Sequence, residues 1–448
     1  MKKKILSLLL VVALMATACL ALAACNDNNG DDNNKPGGEL KGSVKIWWPG
    51  GSPTIEAAIN KAKAEYEAAH KGVTIDIATQ STADFYSSYT MALMNKDNFP
   101  DIAYVDHVFV QRLAYDGLIG NLSDYGADEE KDKFIDSLWS TTQFNGGTYA
   151  LPMSANVLTV AYNKALLTKV LGKEFTDADM PKNWDEYIAI GKKIKEYNTA
   201  NNLTGNNKLY LTTVPAGTGN ESMGAMFFMS YAARSGGRLM NDNLTAMELA
   251  TEQNKSAAAK IKQLGDLGYT PTSFSESKFE TGKVAFIEMG PWKLVDYSRI
   301  SASQKDICDI RYTNVFPLAS GGQTQGALGL YSLVMTKKTK NAVLAADFIK
   351  YLTTSDEIQL AHNTVQNLMP TTKTAIANEY YQTAEWSVFI NQLNNIVARP
   401  GSAAWPAIQR SLAEYVTQLV TGDKNGIPDQ LDAIEIQLNE ALEDLEDE

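Results

Sequence analysis

The stretch Gly282 to Trp292, GKVAFIEMGPW, is arranged to deliver an aromatic ring to the end of a buried strand. Val284, Phe286 and Glu288 alternate with Ala285, Ile287 and Met289, which predicts a short strand enclosed on both faces. Gly290-Pro291 ends it, and the next residue, Trp292, is expected in a loop at the sheet end, where open α/β sheets bind ligands. Trp47 and Trp48 stand in the same relation to Pro49-Gly50-Gly51, and Asp106 follows the apolar run Ile102 to Val105. Glu221 and Arg399 are further polar candidates chosen on side-chain chemistry. An aromatic face covers a flat patch of C–H groups, while carboxylates, amides and guanidinium groups fix hydroxyls, so the set suits non-covalent capture of a polyhydroxylated ring. Leaving one of those polar groups buried and unpaired is costly, which gives such a site its selectivity. Each candidate also has a plain structural use. Tryptophans fill cores, Asp106 can cap a helix beginning near Val108, and Arg399-Pro400 can fix a loop.

Residue types for covalent or metal chemistry are not arranged for it. The three histidines, at 70, 107 and 362, have no cysteine near them in sequence and show no zinc spacing. No G-x-S-x-G elbow, phosphate-binding Walker loop or H-E-x-x-H occurs, and Gly217-Thr218-Gly219 lacks the Lys-Ser/Thr that would make it one. Tyr380-Tyr381 resembles the tyrosine pair of ferric-ion binders but lies in an amphipathic segment. No metal and no cofactor is expected. Paired carboxylates converging from distant segments leave no local signature, so a membrane-anchored glycan hydrolase remains an alternative.

The chain has 448 residues, 44% of them apolar, enough for two or three domains. A net charge of -12 offers no basic field for nucleic acid, which is excluded as a partner. Lys2-Lys3-Lys4 and the apolar run Ile5 to Ala18 read as a secretory signal covering residues 1–24. Leu22-Ala23-Ala24-Cys25 resembles the lipobox of bacterial lipoproteins, which implies a diacylated Cys25 as the mature first residue, and two acyl chains suffice for stable anchoring. Asn26 to Glu39, NDNNGDDNNKPGGE, reads as a solvated tether, so that residues 25–39 are the lipidated cysteine and its tether. With the leader removed, only Cys25 and Cys308 remain, and Cys308 is expected as a buried small hydrophobe.

These motifs must be held by a scaffold, and its order is α/β. A strand Ser43 to Trp48, a helix capped by Ser52 and begun by Pro53, and a strand Val73 to Thr79 form a parallel crossover unit. Helix Phe85 to Met94 and strand Ile102 to Val105 follow. Tyr149 to Ser154 and Val157 to Tyr162 read as strands, Ser222 to Arg234 and Ala246 to Gly265 as helices. Val315 to Leu318 and Ala327 to Thr336 read as strands; Asn341 to Leu352, Ser355 to Asn363, Ala407 to Val420 and Asp429 to Leu445 read as helices.

In this order, KIWWPGG, NFPDIAYVDH, YALPMSANVLTVAYNKALL, NWDEY, RSGGRLM, FETGKVAFIEMGPW, NAVLAADFIKYL, NLMPTTK and ARPGSAAW resemble the extracellular solute-binding proteins of ABC importers, specifically the maltose-binding-like sugar group. The resemblance spans nearly all of residues 43–445 and implies a two-lobe periplasmic-binding-protein-like fold (type II), each lobe a mixed sheet flanked by helices with the ligand between. It would place one lobe at residues 40–156 plus 314–336 and the other at 157–313 plus 337–448, with hinges near Ala155 to Thr159, Tyr312 to Phe316 and Leu333 to Thr336. By position, Trp292 and Trp405 match family tryptophans that stack on sugar rings, and Asp106 and Asn156 fall where polar sugar contacts occur. The implied protein is a monomeric carbohydrate binder outside the cytoplasm, anchored by its lipid and delivering ligand to the permease subunits. A non-sugar solute is the nearer rival.

Overall fold

A computed structural model describes residues 40–51, 53–80, 85–94, 98–319, 322–402, 404–422 and 428–446. The leader, Cys25, the tether and the Ser52 cap lie outside these residues. The described residues build two main sheets, each with its own hydrophobic core. Strands β1 (Gly42–Pro49), β2 (Val73–Gln80) and β3 (Ile102–Asp106) are parallel, with β1 in the middle. A two-stranded hairpin, β4 (Gln143–Phe144) and β5 (Gly147–Thr148), precedes β6 (Ala150–Val157). After Leu158 alone the chain enters the second sheet, β7 (Thr159–Asn163), β8 (Tyr210–Thr212), β9 (Val284–Met289) and β10 (Ile310–Thr313), ordered β10-β7-β9-β8. It then returns through β11 (Gly326–Met335), which lies antiparallel to both β3 and β6, and later adds β12 (Ile396–Val397) beside β11.

The register of β11 gathers one edge of the first sheet. Tyr331 pairs with Asp106 and with Ser154, and Gly329 pairs with Asn156. The carboxyl ends of β3 and β6 and the start of β11 therefore meet, so residues more than two hundred positions apart share one rim. In the second sheet β9 is buried along its length, as the alternation predicts. Ala285 and Phe286 join the large second core, while Val284, Ile287 and Met289 pack with Phe279, Tyr297 and Cys308. Cys308 is fully buried, its Sγ 3.4 Å from Phe279 O, and burial pushes its thiol up to about 11, as suits a packing residue.

The lobe boundaries inferred from the resemblance need correction in the later chain. Residues 342–366 were assigned to the second lobe, but Leu344, Ala345, Phe348, Ile349, Leu352 and Ile358 pack in the first core with Val44, Ile46 and Ile75. Leu333 to Thr336 is accordingly no crossing: Leu333 to Met335 pairs with β3. Helix Ala384–Leu393 closes the rim of the first sheet, with Trp386, Phe389 and Leu393 against Ala155, Val157, Leu328 and Leu330. The third crossing runs instead through residues 394–402, from that helix to helix Trp405–Thr421 in the second core. Val315 to Leu318 forms no strand, while β10, which the sequence reading missed, supplies the edge of the second sheet.

Candidate functional site

A cavity of about 300 Å³ lies between the lobes. Tyr104, Asp106, Asn156, Gly329 and Tyr331 line it from the first-sheet rim, Gln366 from the last position of helix Asp356–Gln366, Leu368 from just beyond that helix, and Arg399 from the third crossing. Ser222, Met223 and Met226, on the first turns of helix Glu221–Arg234, and Trp292 line it from the second lobe. Four of the eight candidate residues thus converge: Asp106, Asn156, Trp292 and Arg399.

Trp292 is half-buried in a short 3₁₀ turn, Pro291–Lys293, that leads into helix Leu294–Ser303. Its indole folds back over Gly290. A Cβ built there would stand 1.8 Å from the ring, so only glycine permits this placement and the Gly-Pro pair does more than end the strand.

The charged groups form one network on the opposite wall. Arg399 is 4% exposed; its Nη2 donates to Asp106 Oδ1 at 2.7 Å, and its Nε has no hydrogen-bond partner among the described residues. His107 is buried, with Nδ1 3.1 Å from both Leu330 O and Asp106 Oδ1, so that nitrogen carries the proton. Burial favours a neutral Asp106, but the Arg399 charge and the His107 hydrogen bond outweigh it and hold the carboxyl down to about 2. Burial and the Arg399 charge together push His107 below its ordinary value. At neutral pH the wall therefore presents an ionised Asp106, a cationic Arg399 and an uncharged His107.

Aromatic and amide groups missed in the sequence complete the lining. Tyr104 and Tyr331 stack with ring centroids 5.0 Å apart and planes 17° from parallel. Tyr104 was legible as the residue two before Asp106 on one strand, hence on the same face. Burial pushes Tyr331 up to about 12, so its hydroxyl stays protonated and able to donate. Gln366 Nε2 lies 2.8 Å from His362 Nε2; burial drives that histidine down to about 3, leaving a neutral ring that can accept from the amide.

The other four candidates stand elsewhere. Trp48 is 0% exposed in the first core, against Tyr104 and His362, because its side chain shares the face of Val44 and Ile46. Trp47, on the opposite face, is half-buried with its ring 6.3 Å from Tyr89 and does not line the cavity. Trp405 is 0% exposed in the second core with Ile408 and Leu412, its Nε1 donating to Gln409 Oε1 at 3.2 Å. Glu221 is exposed at the start of its helix, where Oε1 accepts from Gly219 N at 3.3 Å, one position short of the lining. Tyr381, of the tyrosine pair, is a core residue bonded to Leu368 O. Among the described residues no group of three His, Cys, Asp or Glu converges as a metal would require, and no helix is long and apolar enough to cross a membrane.

A family profile for bacterial extracellular solute-binding proteins matches residues 61–387. A binding protein of Brucella abortus is 24% identical over 430 residues, covering 93% of this chain and 94% of the relative. Among solved structures, the cyclic alpha-maltosyl-1,6-maltose binding protein of Arthrobacter globiformis is similar with a TM-score of 0.76 at 20% identity, over 90% of this chain and 100% of that one. An ABC substrate-binding protein of Listeria monocytogenes, solved with cycloalternan, is similar with a TM-score of 0.72 at 18% identity, over 90% and 99% of the two chains.

Proposed function

The chain belongs to the bacterial extracellular solute-binding proteins, and on that premise we propose that it is the substrate-binding lipoprotein of an ABC importer, capturing a sugar or oligosaccharide between its lobes and delivering it to the membrane permease. The observation that carries the sugar reading is the pairing of walls in the cavity: Trp292 on one lobe, the Asp106–Arg399 pair with Asn156 and the stacked tyrosines on the other. An indole covers the C–H face of a pyranose, and a carboxylate accepts from one hydroxyl while the guanidinium beside it donates to the neighbouring one. Because both lobes contribute, a ligand that touches both favours the closed arrangement by differential affinity. The leader and Leu22-Ala23-Ala24-Cys25 support attachment to the outer face of the cell membrane through lipid on Cys25. The protein acts as a monomer.

A second reading, a membrane-anchored glycan hydrolase, is disfavoured by the lining of the cavity: glycoside hydrolysis uses a pair of carboxyl groups, and Asp106 is the one carboxylate among the described lining residues. Thermal scanning with a panel of neutral mono- and oligosaccharides, polyols and peptides, followed by calorimetric titration, tests the proposal. Stabilisation and saturable binding by at least one saccharide, without bond cleavage, is the expected result. Binding confined to a peptide or polyol overturns the sugar reading, and reducing ends released from a glycan overturn the binding-protein reading.

A further inference from the structure

One buried amide joins the chain crossings between the lobes. Gln392, 1% exposed near the end of helix Ala384–Leu393, uses its whole hydrogen-bonding capacity on them. Its Oε1 accepts from Asn314 Nδ2 at 3.2 Å and from Val315 N at 3.1 Å, on the limb of the second crossing that leaves β10. Its Nε2 donates to Thr324 O at 2.7 Å, on the limb that enters β11, and to Asn395 O at 2.7 Å, at the start of the third crossing. The first crossing meets the same point. Leu158 N donates to Ala327 O at 3.0 Å, and Gly326 is so close that a Cβ there would stand 2.3 Å from Leu158 O and 3.0 Å from Gln392 Cγ. The helix carrying Gln392 is itself seated on the first-sheet rim through Trp386, Phe389 and Leu393.

On the far side of this node the second crossing is held by the other lobe. Arg234 closes helix Glu221–Arg234, donates from Nε to Phe316 O at 2.7 Å, stacks on the Phe316 ring, and accepts at its backbone oxygen from Leu318 N at 2.9 Å. A buried ion pair with Glu288 of β9 fixes that guanidinium. On this limb the two anchorages are adjacent, with only the backbone of Val315 and Phe316 running from Val315 N to Phe316 O between them.

We propose that Gln392 is a positioning residue that makes the three crossings turn as one hinge, so that the lobes move through a single rotation instead of three independent bends. A merely structural glutamine would lower stability when replaced, and no more. A coupling residue would also broaden the distribution of lobe orientations in the folded protein.

The test needs no ligand and is therefore independent of the sugar reading. Spin labels at Lys71→Cys on the first lobe and Lys192→Cys on the second report the interlobe distance distribution by pulsed dipolar spectroscopy in the ligand-free full chain. Gln392→Leu, which keeps the bulk and removes every bond, should widen that distribution at least twofold. Gln359→Leu is the control: Gln359 is equally buried in the first core, donates to Thr353 O and accepts from Thr371 N, but lies away from the crossings. It should lose stability with unchanged width. Gly326→Ala, which drives a methyl group between the first and second crossings, gives the second route should Gln392→Leu not fold. Unchanged width in the Gln392 and Gly326 variants, or equal broadening in the Gln359 control, overturns the proposal.

Discussion

Replacing Arg399 by methionine should alter the acid side of the stability profile through Asp106. In the native protein that carboxyl sits at about 2, against 3.8 ordinarily. A folded value below the unfolded one means that the stabilisation is present above pH ~4 and is lost as pH falls through ~2. At ~1.4 kcal/mol for each tenfold change in proton affinity, the depression corresponds to roughly 2 kcal/mol. Breaking a fully buried pair typically costs about 3–5 kcal/mol, but the Asp106 side chain is 21% exposed and water screens part of the loss, so ~2 kcal/mol at neutral pH is the expectation. Without the guanidinium, burial has only the His107 hydrogen bond against it, and the Asp106 value rises. The loss of stability between pH ~4 and ~2 should then shrink, and adding Asp106→Asn to Arg399→Met should change the profile little further. Urea unfolding across that range, with the denaturant slope checked for constancy, measures both effects. An Arg399→Met protein with wild-type stability at neutral pH and the wild-type fall below pH ~4 would refute the account of the pair.

Trp405→Ala should cost about 3–5 kcal/mol of unfolding free energy, the range for a large aromatic removed from a closed core, with ligand affinity retained under conditions where the protein stays folded; loss of affinity with intact stability would place Trp405 in the site. Trp292→Ala should show the reverse, a stability loss under ~2 kcal/mol and an affinity loss of ~1 kcal/mol or more, both read by calorimetric titration beside denaturant unfolding. Cys25→Ser should move the protein from the membrane to the soluble fraction once its leader is cleaved, and retention of the cleaved form on the membrane would count against acylation.

The parts of the site that sequence could reveal were those fixed by local periodicity. The strand Val284 to Met289 and the Gly-Pro that turns Trp292 out of it are written within eleven residues. Two misplaced tryptophans were legible as well. Trp48 continues the face of Val44 and Ile46, so the alternation itself assigned it to the core. Trp405 begins an apolar helical stripe through Ile408, Leu412, Val416 and Leu419, two residues ahead of Ala407, where the sequence pattern alone starts the helix. Pro406 is the second residue of this helix; proline is tolerated in a first turn, where its missing N–H has no partner to lose. By contrast, nothing local shows that Asp106 meets Arg399 across 293 positions. That contact exists because the third crossing leaves the rim of the first sheet at residues 394–402, and the only regular pairing that marks the departure is the two-residue β12.

The same geometry connects the cavity to the hinge. Arg399 lies four positions beyond Asn395, whose carbonyl Gln392 holds, and six before Trp405, which is locked in the second core. The short strap between those fixed points carries the guanidinium that lines the ligand cavity. A ligand that draws Arg399 away from Asp106 therefore pulls on a segment anchored at both ends, one on each lobe, and the chain between has few residues in which to absorb the displacement. On the proposed binding mode, contact at this wall would act on the lobe angle through the covalent backbone, whereas contact at Trp292, on the 3₁₀ turn after β9, would act on it through the ligand.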